Sequence, residues 1–254
     1  MIVNAYKTHK ITAEDNLYAV LDKYLPPLEE KSVVVLASKI VGICEGRIVK
    51  IASENAEEKQ EQKTSLAMQE ADYYLPRKFN QYGFMITVNR GVMVASAGID
   101  ESNSNGFLSL WPEDPQKSAN DIREYLVKKY NKKHIGVIIS DSKLTPLRWG
   151  VTGISIAHSG FQVLNDYAGK PDIFGLIMKV EKANIADSLA VTGVTVMGEG
   201  AEQQPLAVIN DLPFVQFQER NPTQEELDAL KIALDDDVYA SLLNAVAWKK
   251  GKDK

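Results

Sequence analysis

The chain has 254 residues, a formal net charge of −5, 44% hydrophobic residues and 25% charged residues. That length holds one large domain or two small ones. The ordinary globular composition excludes a disordered tail, a collagen-like fibre and a coiled coil. A net acidic chain is a poor candidate for nonspecific nucleic-acid binding. The single cysteine, Cys44, rules out an intramolecular disulfide and a cysteine-based zinc cage. The opening MIVNAYKTHKITAEDN lacks an apolar stretch, so no signal peptide is expected. The apolar runs at 33–37 and 136–139 are too short to span a bilayer. The expectation is a cytoplasmic protein with no membrane contact.

In chain order, the first stretch reads as strand, loop and helix. The helix starts near Thr12–Asp15, carries Leu17, Val20, Leu21 and Tyr24 as its apolar stripe, and ends at Pro26-Pro27. VVVLA at 33–37 is a mostly β-branched run and predicts a buried strand. Residues 53–82 have helical spacing and a Glu/Lys/Gln face suited to solvent. From Ile86 the pattern turns to strand, with a turn at Gly91. Residues 101–115 then read as one long loop, of a kind usually kept for function. Residues 118–130 form an amphipathic helix preceded by the turn Glu113-Asp114-Pro115, and 136–139 a second buried strand ending at Ser140-Asp141-Ser142. The loop KLTPLRWG follows. Residues 150–161 alternate small and apolar side chains, and DYAGKPD carries turn chemistry. The spacing predicts a strand at 174–180, a helix at 182–195, a Gly/Glu loop at 197–204 and a strand at 206–209. Thr223 and Glu226 match a capping box that opens one or two amphipathic helices. The fold class is therefore α/β or mixed α+β, with a main domain over 1–210, itself divisible in two, and a C-terminal helical element over 211–254.

Three loops begin just after strands and carry oxygen ligands: AGIDESN at 97–103, ISDS at 139–142 and MGEG at 197–200. Carboxylates and hydroxyls at strand ends, beside glycines that admit close backbone approach, suit a hard divalent cation carrying phosphates. On spacing alone, the plainer reading is that these acids near turns cap helices and solvate loops. No G-x-x-x-x-G-K-[ST] loop and no nucleophile elbow occurs. His9, His134 and His158 lack metal spacing; His158, among small residues, reads as a core histidine and His134 as a surface residue before a strand. Cys44 reads as a small buried hydrophobe. Lys39, after a buried strand, is either a phosphate contact or a snorkelling surface lysine.

Together, VVVLASKIVGICEGRIV, RGVMVASAGIDESN, LWPEDPQKSANDIREYL, VIISDS, RWG, DYAGKPD-FG and VTVMGEG-PLAVI resemble the coenzyme F(420)-0:γ-glutamyl ligase family, in order from Val33 to Ile209. The resemblance implies a family-specific α/β fold with an irregular, loop-rich active site and an intertwined homodimer. It also implies amide formation between an acceptor carboxylate and the amine of L-glutamate, driven by GTP with Mg²⁺ or Mn²⁺. By the same resemblance, Asp100 and Asp141 would bind one metal, and Ser142 and Glu199 lie at further metal positions. Ser38, Lys39, Asn103, Gly198, Gly200, Thr8 and His9 would contact the nucleotide.

Activation would proceed through an acyl phosphate that glutamate's amine attacks, with Lys39 and Arg148 as clamps on phosphate or carboxylate. The chain also departs from the family pattern. After ISDS it reads KLTPLRWGVTGISIA in place of FGRPWRxGQTDVAIG, and a basic position after SKIV is Ile43. DSxxTPxRxG with YxGKPDxFG resembles a branch proposed to glutamylate folates, which favours a folate or pteroate over the deazaflavin acceptor. Segment 143–161 would line that acceptor's pocket, with Trp149 and Phe161 either stacking on a flat ring or packing in the core. Two rival readings are a non-catalytic nucleotide-binding homologue and a metal-dependent phosphotransferase without a ligase step.

Overall fold

The side chains of Val33, Val34, Val35 and Leu36 have no exposed surface, because they lie inside a sheet covered by helices on both faces. The computed structural model describes residues 1–251. Its elements begin β1 (Ile2–Tyr6), α1 (Leu17–Tyr24), β2 (Ser32–Ala37), α2 (Ser38–Cys44), β3 (Ile48–Lys50), α3 (Ala56–Glu70) and β4 (Tyr73–Leu75). There follow β5 (Ile86–Asn89), β6 (Val92–Ala95), β7 (Phe107–Ser109), α4 (Pro115–Tyr130), β8 (Ile135–Leu144) and β9 (Val151–Ser159). The last group is β10 (Leu164–Asp166), β11 (Lys182–Asn184), α5 (Ile185–Met197), β12 (Leu206–Asn210), α6 (Gln224–Asp228), α7 (Ala240–Leu243) and β13 (Lys249–Lys250).

The main sheet has the order β1-β12-β2-β8-β9; β2 pairs parallel to β8, and the other neighbours are antiparallel. Strand alternation divides the apolar side chains between the two faces. Val34, Leu36, Val137 and Ile139 pack with Leu21 of α1, Ile40 and Val41 of α2, and Ile122 and Leu126 of α4. Val33, Val35, Ile138, Ala207 and Ile209 pack with Ile185, Leu189 and Ala190 of α5. Gly193 lets α5 approach this closely, since a Cβ there would stand 2.9 Å from the Val35 side chain. α4 starts three residues before the expected 118, inside the turn 113–115: Asp114 accepts from the Lys117 amide, Pro115 fills the first turn, and Asn131 ends the helix at φ 51°.

A smaller lobe holds the sheet β13-β4-β5-β6, the ribbon β3-β7 and α3, around Ala67, Ala71, Met85, Ala97, Ile99, Leu108 and Leu110. The tail returns across the molecule. Gln162 and Gln216 join through their backbones at 2.8 Å, Arg123 reaches the Gln218 carbonyl and Asn221, and β13 adds an edge to β4. The capping box of Thr223 and Glu226 forms, but α6 and α7 are short; residues 252–254 of the expected C-terminal helical element lie outside the described residues. Among the described residues, no helix is long and apolar enough to cross a membrane.

Several local expectations need correction. The first helix starts later than Thr12, capped by Asn16. The helix expected over 53–82 ends at Glu70, and the loop at 101–115 contains β7. The helix expected from Lys182 is preceded by β11 and begins at Ile185. Residues 174–180 are not a strand but part of a turn-rich arm that includes a single bridge between Pro171 and Ile177. Their apolar, partly β-branched side chains find no strand to pair with, and Ile173, Phe174, Leu176 and Val180 stand largely exposed. β8 runs on through Ser140–Leu144, past an irregularity after Ile139, because its antiparallel pairing with β9 continues there.

Candidate active site

The parallel register of β2 and β8 sets Ala37 opposite Ser140. It thereby brings Ser38 and Lys39, at the start of α2, beside Asp141 and Ser142. Asp100 arrives from the smaller lobe: Lys39 Nζ donates to its Oδ2 at 2.6 Å and to the Ser102 carbonyl at 2.8 Å. The Glu101 and Ser102 amides and the Ser102 hydroxyl also donate to Asp100, at 2.7, 3.1 and 2.7 Å. Burial works against ionising Asp100, but Lys39 and these donors overcome it and hold the carboxyl down at about 2.

The segment before Asp100 is held in a strained shape. Ser96, Ala97 and Gly98 have φ of 49°, 55° and 79°, a left-handed run that non-glycine residues rarely adopt. Two side chains of β5 enforce it from beneath. The Ala97 amide donates to Thr87 Oγ1 at 2.8 Å, and Asn89 Nδ2 donates to the Ala97 carbonyl at 2.9 Å. Gly98 is obligatory for a further reason: a Cβ there would lie 2.1 Å from Trp111 Nε1. The buried Trp111 donates that N–H to Asp141 Oδ2 at 2.5 Å. Asp141 is otherwise poorly compensated. Burial pushes its carboxyl up to about 6, against the indole and the Ser142 amide, with the charge of Asp100 adding to the rise.

The loop between α5 and β12 closes the other side. Ser142 donates its hydroxyl to Glu199 at 2.7 Å, Asn103 Nδ2 donates to the Gly200 carbonyl at 2.9 Å, and Thr8 pairs its amide with the Gln203 carbonyl at 3.1 Å. Gly198 has φ 81°, and Glu202 accepts the Gly200 amide at 2.8 Å. Thr8, Ser38, Lys39, Asp100, Asn103, Asp141, Ser142, Gly198, Glu199 and Gly200 therefore belong to one set of linked loops. His9 does not turn toward them; its ring sits between Tyr24 and Asp15, at 2.8 and 2.7 Å. Arg148 lies in the exposed turn between β8 and β9. Trp149 is 89% exposed against the edge of Tyr82, whereas Phe161 is fully buried under α5, so of the two roles open to Phe161 the structure shows core packing. Burial also raises the Cys44 thiol to about 11, removing it as a nucleophile.

Trp111 was not legible as a site residue, nor was the face of α3 that carries Lys63 legible as bordering the Asp100 loop. Trp111 sits between a short apolar run and a proline turn and reads as packing, and Lys63 lies in a charge-rich helix that reads as solvated. A separation of four residues from Lys59 and from Ala67 is the one signal that could have marked Lys63.

Among the described residues, no three His, Cys, Asp or Glu side chains gather as a metal cage. What is gathered is two carboxylates within electrostatic reach of each other, Asp100 and Asp141, with the Ser142 hydroxyl and Glu199 alongside. Hard oxygen donors of this kind, with one carboxylate buried and short of positive charge, fit Mg²⁺ or Mn²⁺, which keep water and phosphate in the remaining positions.

Residues 6–211 match the F420-0:Gamma-glutamyl ligase family. The chain is 34% identical over 217 residues to the Coenzyme F420:L-glutamate ligase of Methanococcus maripaludis (strain C6), covering 81% of this chain and 85% of that one. The protein of that name in Methanocaldococcus jannaschii is 34% identical, over 78% of this chain and 83% of its own. That of Halorubrum lacusprofundi is 33% identical, over 79% and 82%. A match across both lobes, and across each of the three linked loops, leads to one conclusion: the chain belongs to the F420-0:gamma-glutamyl ligase family.

Proposed function

We propose that this protein is a GTP-dependent γ-glutamyl ligase that joins the amine of L-glutamate to an acceptor carboxylate through an acyl phosphate. The observation that carries the reading is the meeting of Lys39, just after β2, with Asp141 on the parallel strand β8 and Asp100 from the smaller lobe, within a family match over residues 6–211. A carboxylate oxygen is a poor leaving group, so transfer of the GTP γ-phosphate to it makes the amide step feasible. Lys39 is placed to hold phosphate oxygens once Asp100 turns to a cation, and Thr8, Asn103 and the 198–204 loop would cradle the nucleotide. Asp100, Asp141, Ser142 and Glu199 would hold Mg²⁺ or Mn²⁺, which when bound neutralises the charge that builds on the transferred phosphoryl group. Trp111 keeps Asp141 aimed, and Arg148 is available for an acceptor or glutamate carboxylate.

The names of the relatives favour the deazaflavin coenzyme F420 as acceptor. The sequence KLTPLRWGVTG at 143–153 favours a folate or pteroate, which offers the same flat ring and terminal carboxylate. A homodimer belongs to the same reading, since the apolar arm around Phe174 presents surface that a second copy would cover. The test incubates the protein with GTP, Mg²⁺ or Mn²⁺, glutamate and each acceptor in turn, with products read by mass spectrometry. Glutamate-dependent release of GDP with one glutamyl mass added to an acceptor is expected. GDP release without an amide product would support a phosphotransferase instead, and nucleotide binding without turnover a non-catalytic homologue.

A further inference from the structure

α3 turns one face toward the strained loop that carries Asp100. Lys59, Lys63 and Ala67 are spaced four apart and so share that face. At one end Lys59 Nζ bonds Glu101 Oε1 at 2.7 Å. At the other end Ala67 is fully buried in the cluster that contains Ala97 and Ile99. Lys63 is therefore fixed between these two anchors, above residues 97–101, and it lies within electrostatic reach of Asp100, Glu101 and Lys39.

Each carboxylate of this loop already has a cation of its own: Asp100 is held by Lys39 at 2.6 Å and Glu101 by Lys59 at 2.7 Å. Both loop carboxylates near Lys63 are thus already held by other lysines, and neither is left for Lys63 alone. A half-buried ammonium that must share its nearest acids with two other lysines is poorly compensated, and burial lowers its proton affinity against the pull of Asp100 and Glu101. A ligand anion seated beside Lys39 would restore the balance.

Building on the ligase reading above, we propose that Lys63 binds the nucleotide's phosphates, as a third lysine beside Lys39 and Lys59 and on a different element from the exposed turn that carries Arg148. Its role is to hold phosphate charge rather than glutamate or the acceptor. A point charge on a flexible stem suits that task.

The test compares the wild-type protein with Lys63→Met and Lys63→Arg, in Mg²⁺. It measures the binding of a fluorescent, non-hydrolysable GTP analogue, the KM values for GTP and glutamate, and the melting temperature. Loss of one charge-assisted phosphate contact predicts about ten- to hundredfold weaker nucleotide binding in Lys63→Met. The GTP KM rises in step, the glutamate KM is unchanged, the melting temperature is not lowered, and Lys63→Arg recovers most of the affinity. Unchanged nucleotide affinity, or a change confined to the glutamate or acceptor KM, overturns the assignment while leaving the ligase reading in place. A wild-type protein that binds no nucleotide at all overturns both.

Discussion

The indole nitrogen of Trp111 stands 2.5 Å from Oδ2 of Asp141, and it can do so only because residue 98 has no side chain. This contact joins the smaller lobe to the end of β8 and gives a buried carboxylate its one strong side-chain donor. Without a cation, that carboxylate is held in an environment which favours its protonated form, with a pKa of about 6.

The first prediction concerns Asp141→Asn. A group whose folded pKa is raised from 3.8 to about 6 binds its proton more tightly in the folded state. Metal-free stability therefore falls as pH rises through that window, and the cost of ionisation is fully present above it. At roughly 1.4 kcal/mol per unit, removing the charge should stabilise the metal-free protein by about 1–3 kcal/mol at neutral pH. Asn can still accept from Trp111. Amide-forming activity should drop by a factor of at least about a hundred. Urea denaturation at pH 5 and pH 8, beside a product assay at saturating Mn²⁺, tests both halves. Near-normal turnover would reject the role given to Asp141.

Gly98→Ala should be among the most damaging small substitutions in the chain. The new methyl meets the indole at 2.1 Å, and the position has φ 79°, so both strain and displacement of Trp111 follow. A loss of about 3 kcal/mol or more is expected, with the protein's tryptophan emission shifted to the red as Trp111 leaves its packed position. Ala tolerated here without a fall in melting temperature would contradict the packing described.

His158 is buried and fully desolvated, which lowers its pKa to about 4 from the usual 6.5. The unfolded chain therefore takes up a proton between those two values that the folded chain refuses. This group's contribution is intact above pH 6.5 and is lost as pH falls toward 4, at roughly 1.4 kcal/mol per unit. His158→Gln should flatten the acid limb of the stability profile across that window. An unchanged slope would show that His158 is protonated in the folded state.

The proposed reading gives Trp149 to the acceptor. Trp149 is 89% exposed and touches only the edge of Tyr82 among aromatic rings, so Trp149→Ala should leave the melting temperature within about a degree of wild type. If the 145–150 turn receives the acceptor ring, the acceptor KM rises about tenfold or more while the GTP KM stays fixed. Equal effects on both would show that the turn acts on the site as a whole.

Elements whose physics is local were legible from the sequence. The VVVL run demanded burial on both faces and became β2; the amphipathic stretch 118–130 became most of α4; the turn at Gly91 joined β5 to β6; Thr223 and Glu226 closed their capping box. The glycine-spaced oxygen ligands marked the three loops, because residue type alone decides which donors a loop can offer. Tertiary structure decided the rest, through partners far away in sequence. Residues 141–144 became strand because β9 stayed paired to them, whereas the apolar 174–180, with no strand to meet, did not. Phe161 went inside because α5 covers it, and Trp149 stayed outside because nothing does. Trp111 carries no local mark of the site. It meets Asp141 because a left-handed glycine makes room for it, and a hydrogen bond across 30 residues is set by packing, which sequence spacing does not report.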